Sequence, residues 1–251
     1  MRIKKKIIVN IADGLHYRMF YESGFLNKLQ NEYNVTLVCY NSELRDLMQE
    51  SQKNIDILKY DIQIKYKKLL ELFLKLNALR SVYYFPVMNV KSRRKRNIIK
   101  HLLVSNVFTS QIARLLGWTL RANIATFMTK SHFKIEADVV LLSTPGQKIE
   151  DLFAYFQLLK SNKTPLFKSL IYSWDNLSAK GFLPIKLNDY FVWNKYMQND
   201  LVVRHGVSSN SIKVVGSPLA VIYSQYDKLT KSDCRQLVPY LKDKHESKFI
   251  I

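Results

Sequence analysis

Six short apolar runs constrain what this chain can fold into, because each ends in a polar or glycine-bearing turn. They are "KKIIVNIADG", "VTLVCY", "ADVVLLSTPG", "LFKSLIYSW", "DYFVWN" and "SIKVVGSP". Runs this short and this apolar suit buried strands of a parallel sheet. Helix-compatible segments lie between them. "YRMFYESGFLNKLQN" has Phe20, Phe25 and Leu29 for an inner face, and Ser42 reads as the N-cap of "ELRDLMQE". "QKIEDLFAYFQLLKS" follows the third run, and "KYMQNDLVVRHG" closes on Gly206, a left-handed cap. The alternation predicts an α/β fold: a Rossmann-like, mainly parallel sheet with strands near residues 7, 35, 138, 167, 189 and 212.

A block at 64–132 interrupts the alternation and reads as a mostly helical insertion. "YKKLLELFLKLNALR" is a Leu-rich helix with interleaved lysines, whose Leu69, Leu72, Phe73 and Leu76 either cover the core or meet a lipid surface. After Pro86 come the basic cluster "KSRRKR" at 91–96 and helix-like runs at about 97–116 and 119–132. Residues 1–218 are expected to form one domain. Residues 219–251 then read as an interdomain crossover and the start of a second domain.

Charge narrows the partners. Lys and Arg number 39 against 20 Asp and Glu, a net charge of +19. The resulting positive field suits phosphates, nucleic acid or an anionic membrane face. No run approaches the roughly 18 apolar residues of a membrane span. The basic start followed by "IIVNIA" is too short an apolar stretch for a signal peptide and reads as the first strand. The two cysteines, Cys39 and Cys234, make no disulfide framework and fit a reducing compartment. A cytoplasmic protein, peripheral at the inner face of the cell membrane, is the expectation.

Several chemistries leave no signature. There is no G-x-G-x-x-G after the first strand, no P-loop, no H-E-x-x-H and no G-x-S-x-G elbow. The five histidines (16, 101, 132, 205 and 245) show no metal-ligand spacing. Neither a metal nor a resident cofactor is expected.

Ligands of a parallel α/β sheet bind beyond the carboxyl ends of its strands. Four clusters sit at such ends. Asp13-Gly14-Leu15-His16 holds the most reactive pair: Asp13 and His16 either do base chemistry or cap a helix and face solvent. Gly14 reads as a tight turn. Ser143, Thr144 and Gly146 resemble a backbone nest that either binds an anion or simply turns the chain. Trp174, Asp175 and Asn176 either contact a polar ligand or form an Asx turn beside the core, with Lys180 and Gly181 extending the loop toward a phosphate or water. Gly216 and Ser217, before Pro218, form either an anion-binding turn or a plain junction.

The run from Trp174 to Pro218 resembles the end of the N-terminal domain of GT-B glycosyltransferases, those of bacterial surface-polysaccharide and cell-wall assembly above all. The loop "SWDNLSAKG", the strand "DYFVWN", the helix carrying Met197 and the strand "IKVVGSP" carry the likeness, with the opening strand and its Asp13-Gly14 turn. The resemblance implies transfer of a sugar from a nucleotide-sugar donor, the donor being substrate rather than cofactor. It implies a glycan or lipid-linked acceptor held on this half, with Asp13 or His16 as base. The donor-binding half would begin near Ile251, so the chain reads as an acceptor-side half that is inactive alone and is completed by further chain or by a separate donor-binding subunit. A nucleic-acid-binding module rests only on "KSRRKR" and is disfavoured, with no helix-turn-helix, zinc-finger or RNP-type motif to support it.

Overall fold

A computed structural model describes residues 4–51, 55–95, 98–128, 136–159, 163–171, 173 and 175–226. The chain begins with β1 (Lys6–Ile11), α1 (Gly14–Glu22), α2 (Phe25–Glu32), β2 (Asn34–Cys39), α3 (Ser42–Ser51) and β3 (Asp56–Lys59). A helical block follows: α4 (Ile64–Val82), α5 (Pro86–Lys95), α6 (Ile98–Val104) and α7 (Val107–Met128). The alternation then resumes with β4 (Val139–Leu142), α8 (Ile149–Leu158), β5 (Leu166–Leu170), α9 (Asp175–Ser178), β6 (Asp189–Val192) and α10 (Lys195–His205). A 3-10 turn, β7 (Ile212–Val214) and α11 (Pro218–Tyr226) complete the described chain.

The seven strands form one sheet in the order β3-β2-β1-β4-β5-β6-β7, and every pairing is parallel. Successive side chains point to opposite faces. Ile7, Val9 and Ile11 of β1 join Leu37, Cys39, Leu141 and the inner sides of α1 to α3. Ile8, Val140, Leu142 and Val192 face the other way, into a larger core shared with α4, α7, α8 and α10. From Asp151 to Leu158, α8 is buried at every position, Asp151 and Gln157 being polar exceptions on an otherwise apolar surface. The α/β, Rossmann-like reading with a helical insertion therefore holds.

Details differ from the sequence reading, each for a physical reason. The helix expected across "YRMFYESGFLNKLQN" is two, because Gly24 adopts a left-handed φ of 69° between them. Asn41, not Ser42, caps α3, its Oδ1 accepting from the N–H groups of Glu43 at 2.8 Å and Leu44 at 3.3 Å. Gly206 is the left-handed cap of α10, at φ 64°. On α4 the inward residues are Tyr66, Leu70 and Phe73, while Leu72 is exposed. Residues 91–95 of the "KSRRKR" cluster end α5, Arg96 lies outside the described residues, and apart from Ser92 nothing of the cluster's side chains is described. Of the segment 219–251, residues 219–226 continue α11 and the rest lie outside the described residues.

Candidate functional site

The strand order reverses its direction of growth at β1 and β4. In doubly wound sheets the crevice outside the carboxyl ends of two such strands is the ligand site. The chain leaves β1 through Asp13, whose backbone is extended and whose Oδ1 accepts from the His16 N–H at 3.0 Å. This N-cap satisfies one orphan donor of α1. It also turns His16 inward. The imidazole is 1% exposed, with Nδ1 only 2.7 Å from Asp13 Oδ1. Lys148, the residue before α8, reaches across from the β4 side and forms an ion pair with Asp13 Oδ2. Asp13 itself stays 37% exposed. The rim therefore carries an accessible carboxylate with a buried imidazole behind it and an ammonium beside it. Asp13 is a cap, as one reading of the sequence held, but His16 does not face solvent.

Beneath this pair lies a buried polar hub. Asp151 of α8 is 0% exposed. Its carboxylate accepts from the Ser143 N–H at 3.0 Å, the Thr144 N–H at 2.7 Å and the Thr144 hydroxyl at 2.6 Å. The Ser143 hydroxyl adds contacts at 3.1 and 3.0 Å, and Asn10 of β1 donates from Nδ2 at 2.7 Å. Tyr40, just past β2, donates to Asn10 Oδ1 at 2.7 Å. The turn after β4 is thus a nest, and an acid of the protein's own chain fills it. The Ser143 and Thr144 N–H groups are already spent. Gly146 is needed in this turn: φ is 79°, and a Cβ would lie 2.5 Å from Ile185 Cγ1.

Burial sets the titration of His16, and the charges around it modulate that. Burial pushes the imidazole below its ordinary value; the Asp151 carboxylate opposes this, Lys180 adds to it, and Glu150 opposes it. Burial likewise lowers Lys148, with Glu150 and Asp151 opposing and Lys180 adding. His205, at the end of α10, is also lowered by burial, against the Leu177 carbonyl at 2.8 Å from Nε2. A lowered folded value means that the unfolded chain binds protons which the folded chain resists. Stability contributed this way is present above about pH 6.5, the unfolded value, and is lost as pH falls below it. Urea midpoints measured from about pH 7.5 down to about pH 5.5 should therefore decline, and His16→Gln with His205→Gln should flatten the decline. An equally steep decline in the double variant would assign the loss to other groups.

The other candidate residues divide. Lys180 acts electrostatically on His16 and on Lys148. Gly14 opens α1 with no left-handed φ and no atom within 4 Å of an added Cβ, so no turn there requires glycine. Gly216 and Ser217 line a different space, an apolar cavity of about 440 Å³ with Ile7, Leu141, Leu170 and Phe191. Asp175 and Asn176 open the single turn of α9, but their side chains, and Trp174 altogether, lie outside the described residues.

Asn10, Lys148 and Asp151 were not singled out from the sequence. Asn10 carried a usable signal, a lone amide within "IIVNIA", since a buried polar group in a strand demands a partner. Asp151 reads locally as a first-turn acid favoured by the helix dipole. No protein-family model, curated protein or solved structure matches this chain. What stands is a Rossmann-like scaffold of the kind that nucleotide-binding enzymes use, with a charged site at its switch point.

Proposed function

We propose that this chain supplies the acceptor-side half of a glycosyltransferase. A donor-binding half, in the same polypeptide or another, would complete it. The observation that carries the reading is the partly exposed Asp13 carboxylate, fixed at the switch point by its cap bond, by His16 and by Lys148. In the reaction Asp13 accepts the proton of a glycan or lipid-linked hydroxyl. That oxygen attacks the anomeric carbon of the nucleotide-sugar, and the bond to the nucleoside diphosphate breaks, the diphosphate leaving with the electron pair. His16 is too buried to meet the acceptor and acts as a positioning residue for Asp13. Lys148 and Lys180 supply positive charge where negative charge accumulates.

The test measures incorporation of label from nucleotide-sugars into lipid and glycan fractions, in cells deleted for the chain and complemented with variants. Asp13→Ala should lower incorporation at least about a hundredfold, within the range for losing a general base, while the lost N-cap lowers the melting temperature by only a few degrees. No difference between the deletion and the wild type would overturn the proposal.

A second reading has its own support. Both Asp13 oxygens are already engaged, Oδ1 by His16 and Oδ2 by Lys148, which suits a non-catalytic subunit of a split glycosyltransferase. Under it the deletion abolishes incorporation while Asp13→Ala preserves it.

A further inference from the structure

Helix α7 is apolar on both sides but covered on only one. Ser110, Ala113, Ile124 and Met128 face α4 and the core. On the opposite side Phe108 is 75% exposed, Leu115 62% and Trp118 70%. The preceding helix α6, which packs against α7, likewise exposes Ile99 at 72% and Leu103 at 63%. Spacings of three, four and seven residues put Phe108, Ile112 and Leu115 on one stripe. Scattered exposed apolar residues need no explanation, but a contiguous patch of large ones does.

The same segment has an extreme charge distribution. Residues 72–135 contain twelve Lys and Arg and not one Asp or Glu. Beside the apolar stripe lies a cleft of about 710 Å³ lined by Arg80, Arg114, Arg121 and Lys186, with Gln111 and Trp118 at its edge. No carboxylate among the described residues pairs with these four cations. Arg80 stacks 4.4 Å from the Phe182 ring centroid, and burial, with Arg114 adding to it, depresses its proton affinity. Like charges gathered without a counter-ion fit an anionic ligand. Apolar side chains flanked by such charges fit the boundary between lipid headgroups and acyl chains. Among the described residues no helix is long and apolar enough to cross a membrane.

We propose that the outer face of α6 and α7 docks on an anionic lipid leaflet, with its apolar stripe entering the acyl boundary and the arginine cleft receiving lipid phosphates. This surface shares no residue with the Asp13 site, and it stands apart from the glycosyltransferase reading: docking can hold where sugar transfer fails. It places the lipid-facing element on α6 and α7 rather than on α4, where lipid contact was the alternative to core packing.

The full chain should float with phosphatidylglycerol-containing phosphatidylcholine vesicles in about 0.15 M salt and should not float with phosphatidylcholine alone. Arg114→Gln with Lys186→Gln should weaken binding roughly thirtyfold, and Phe108→Ser with Leu115→Ser roughly a hundredfold. All four residues line the surface, so unchanged melting temperatures confirm that folding is kept. Brominated lipid should quench the wild type and lose the Trp118 share of that quenching in Trp118→Phe. Equal binding to neutral vesicles, or variants that bind like the wild type, would overturn the proposal. So would release of the protein by inorganic phosphate with no Trp118 quenching, which would mark a free-phosphate site. Shielding of Trp118 from acrylamide without vesicles would mean that a second copy or residues 227–251 already cover the face. A gel shift with nucleic acid in protein that ignores vesicles would mark the surface as a phosphodiester site instead.

Discussion

Asp151→Ala is expected to destabilise the fold by about 3–5 kcal/mol, the range for removing one member of a buried charged network. The carboxylate ties β1, the turn after β4 and α8 together through Asn10, Ser143 and Thr144. Alanine leaves two backbone N–H groups and the Asn10 amide without their acceptor inside the core. The cost is the desolvation of those groups, now uncompensated, rather than the strength of any one bond. For a chain of this size it amounts to a fall in Tm of roughly 10 °C. Burial pushes the Asp151 carboxyl up, while Thr144, Asn10 and Ser143 stabilise its charged form. Asp151→Asn should also be costly, since an amide nitrogen must then face donors. Ser143→Ala removes only a hydroxyl, leaves the other donors in place, and should cost about 1 kcal/mol. Urea unfolding of the three variants checks the order. If Asp151→Ala stays within about 1 kcal/mol of wild type, the hub is not what joins these elements.

The sheet could be read from sequence wherever a short apolar run broke off into a polar or glycine-bearing turn. Six strands lie where their apolar runs predicted. The seventh, "DILK" at Asp56–Lys59, mixes charged with apolar residues and runs on without a glycine or proline turn, and its positions alternate exposed and half-buried, so no apolar run marks it. In the helical block the break was expected near Gly117. Glycine is tolerated inside a well-packed helix, and α7 runs through it. The true break lies before α7, where the Asn106 side chain accepts from the Thr109 N–H at 2.8 Å. The site follows the same logic. Asp13 and His16 are three residues apart, so their pairing is local and visible. The partnership of Asn10 with Asp151 spans 141 positions and depends on β4 lying beside β1, which periodicity alone does not specify.

Gly181→Ala is the second large expected loss, about 2–5 kcal/mol. Two costs add. Gly181 sits at φ 81°, where an alanine is strained by about 1–2 kcal/mol. Its new Cβ would also fall 2.5 Å from Ser81 Cβ and 2.7 Å from Met88 Sδ, and overpacking of this kind costs about 1–3 kcal/mol. The Met88 tip can move. Ser81 cannot, because it is 0% exposed on α4 and is clamped by its own bonds: its hydroxyl donates to the Asn77 carbonyl at 2.6 Å and accepts from the Phe182 N–H at 2.9 Å. Asn77 Nδ2 closes the clamp on the Phe182 carbonyl at 2.7 Å. The loop must therefore lift off α4, and Lys180, the residue before Gly181, must shift with it. Lys180 helps hold the His16 proton affinity down, so His16, followed by its imidazole resonances, should titrate higher in Gly181→Ala than in the wild type. Gly14→Ala is the control. It meets open space at an ordinary helical position and should be neutral or stabilising by up to about 1 kcal/mol. If both variants melt alike, the contact of the loop with α4 does not fix Lys180. If Gly181→Ala is destabilised while His16 titrates as before, the loop lifts without carrying Lys180 from the site, and its charge is held there by other contacts.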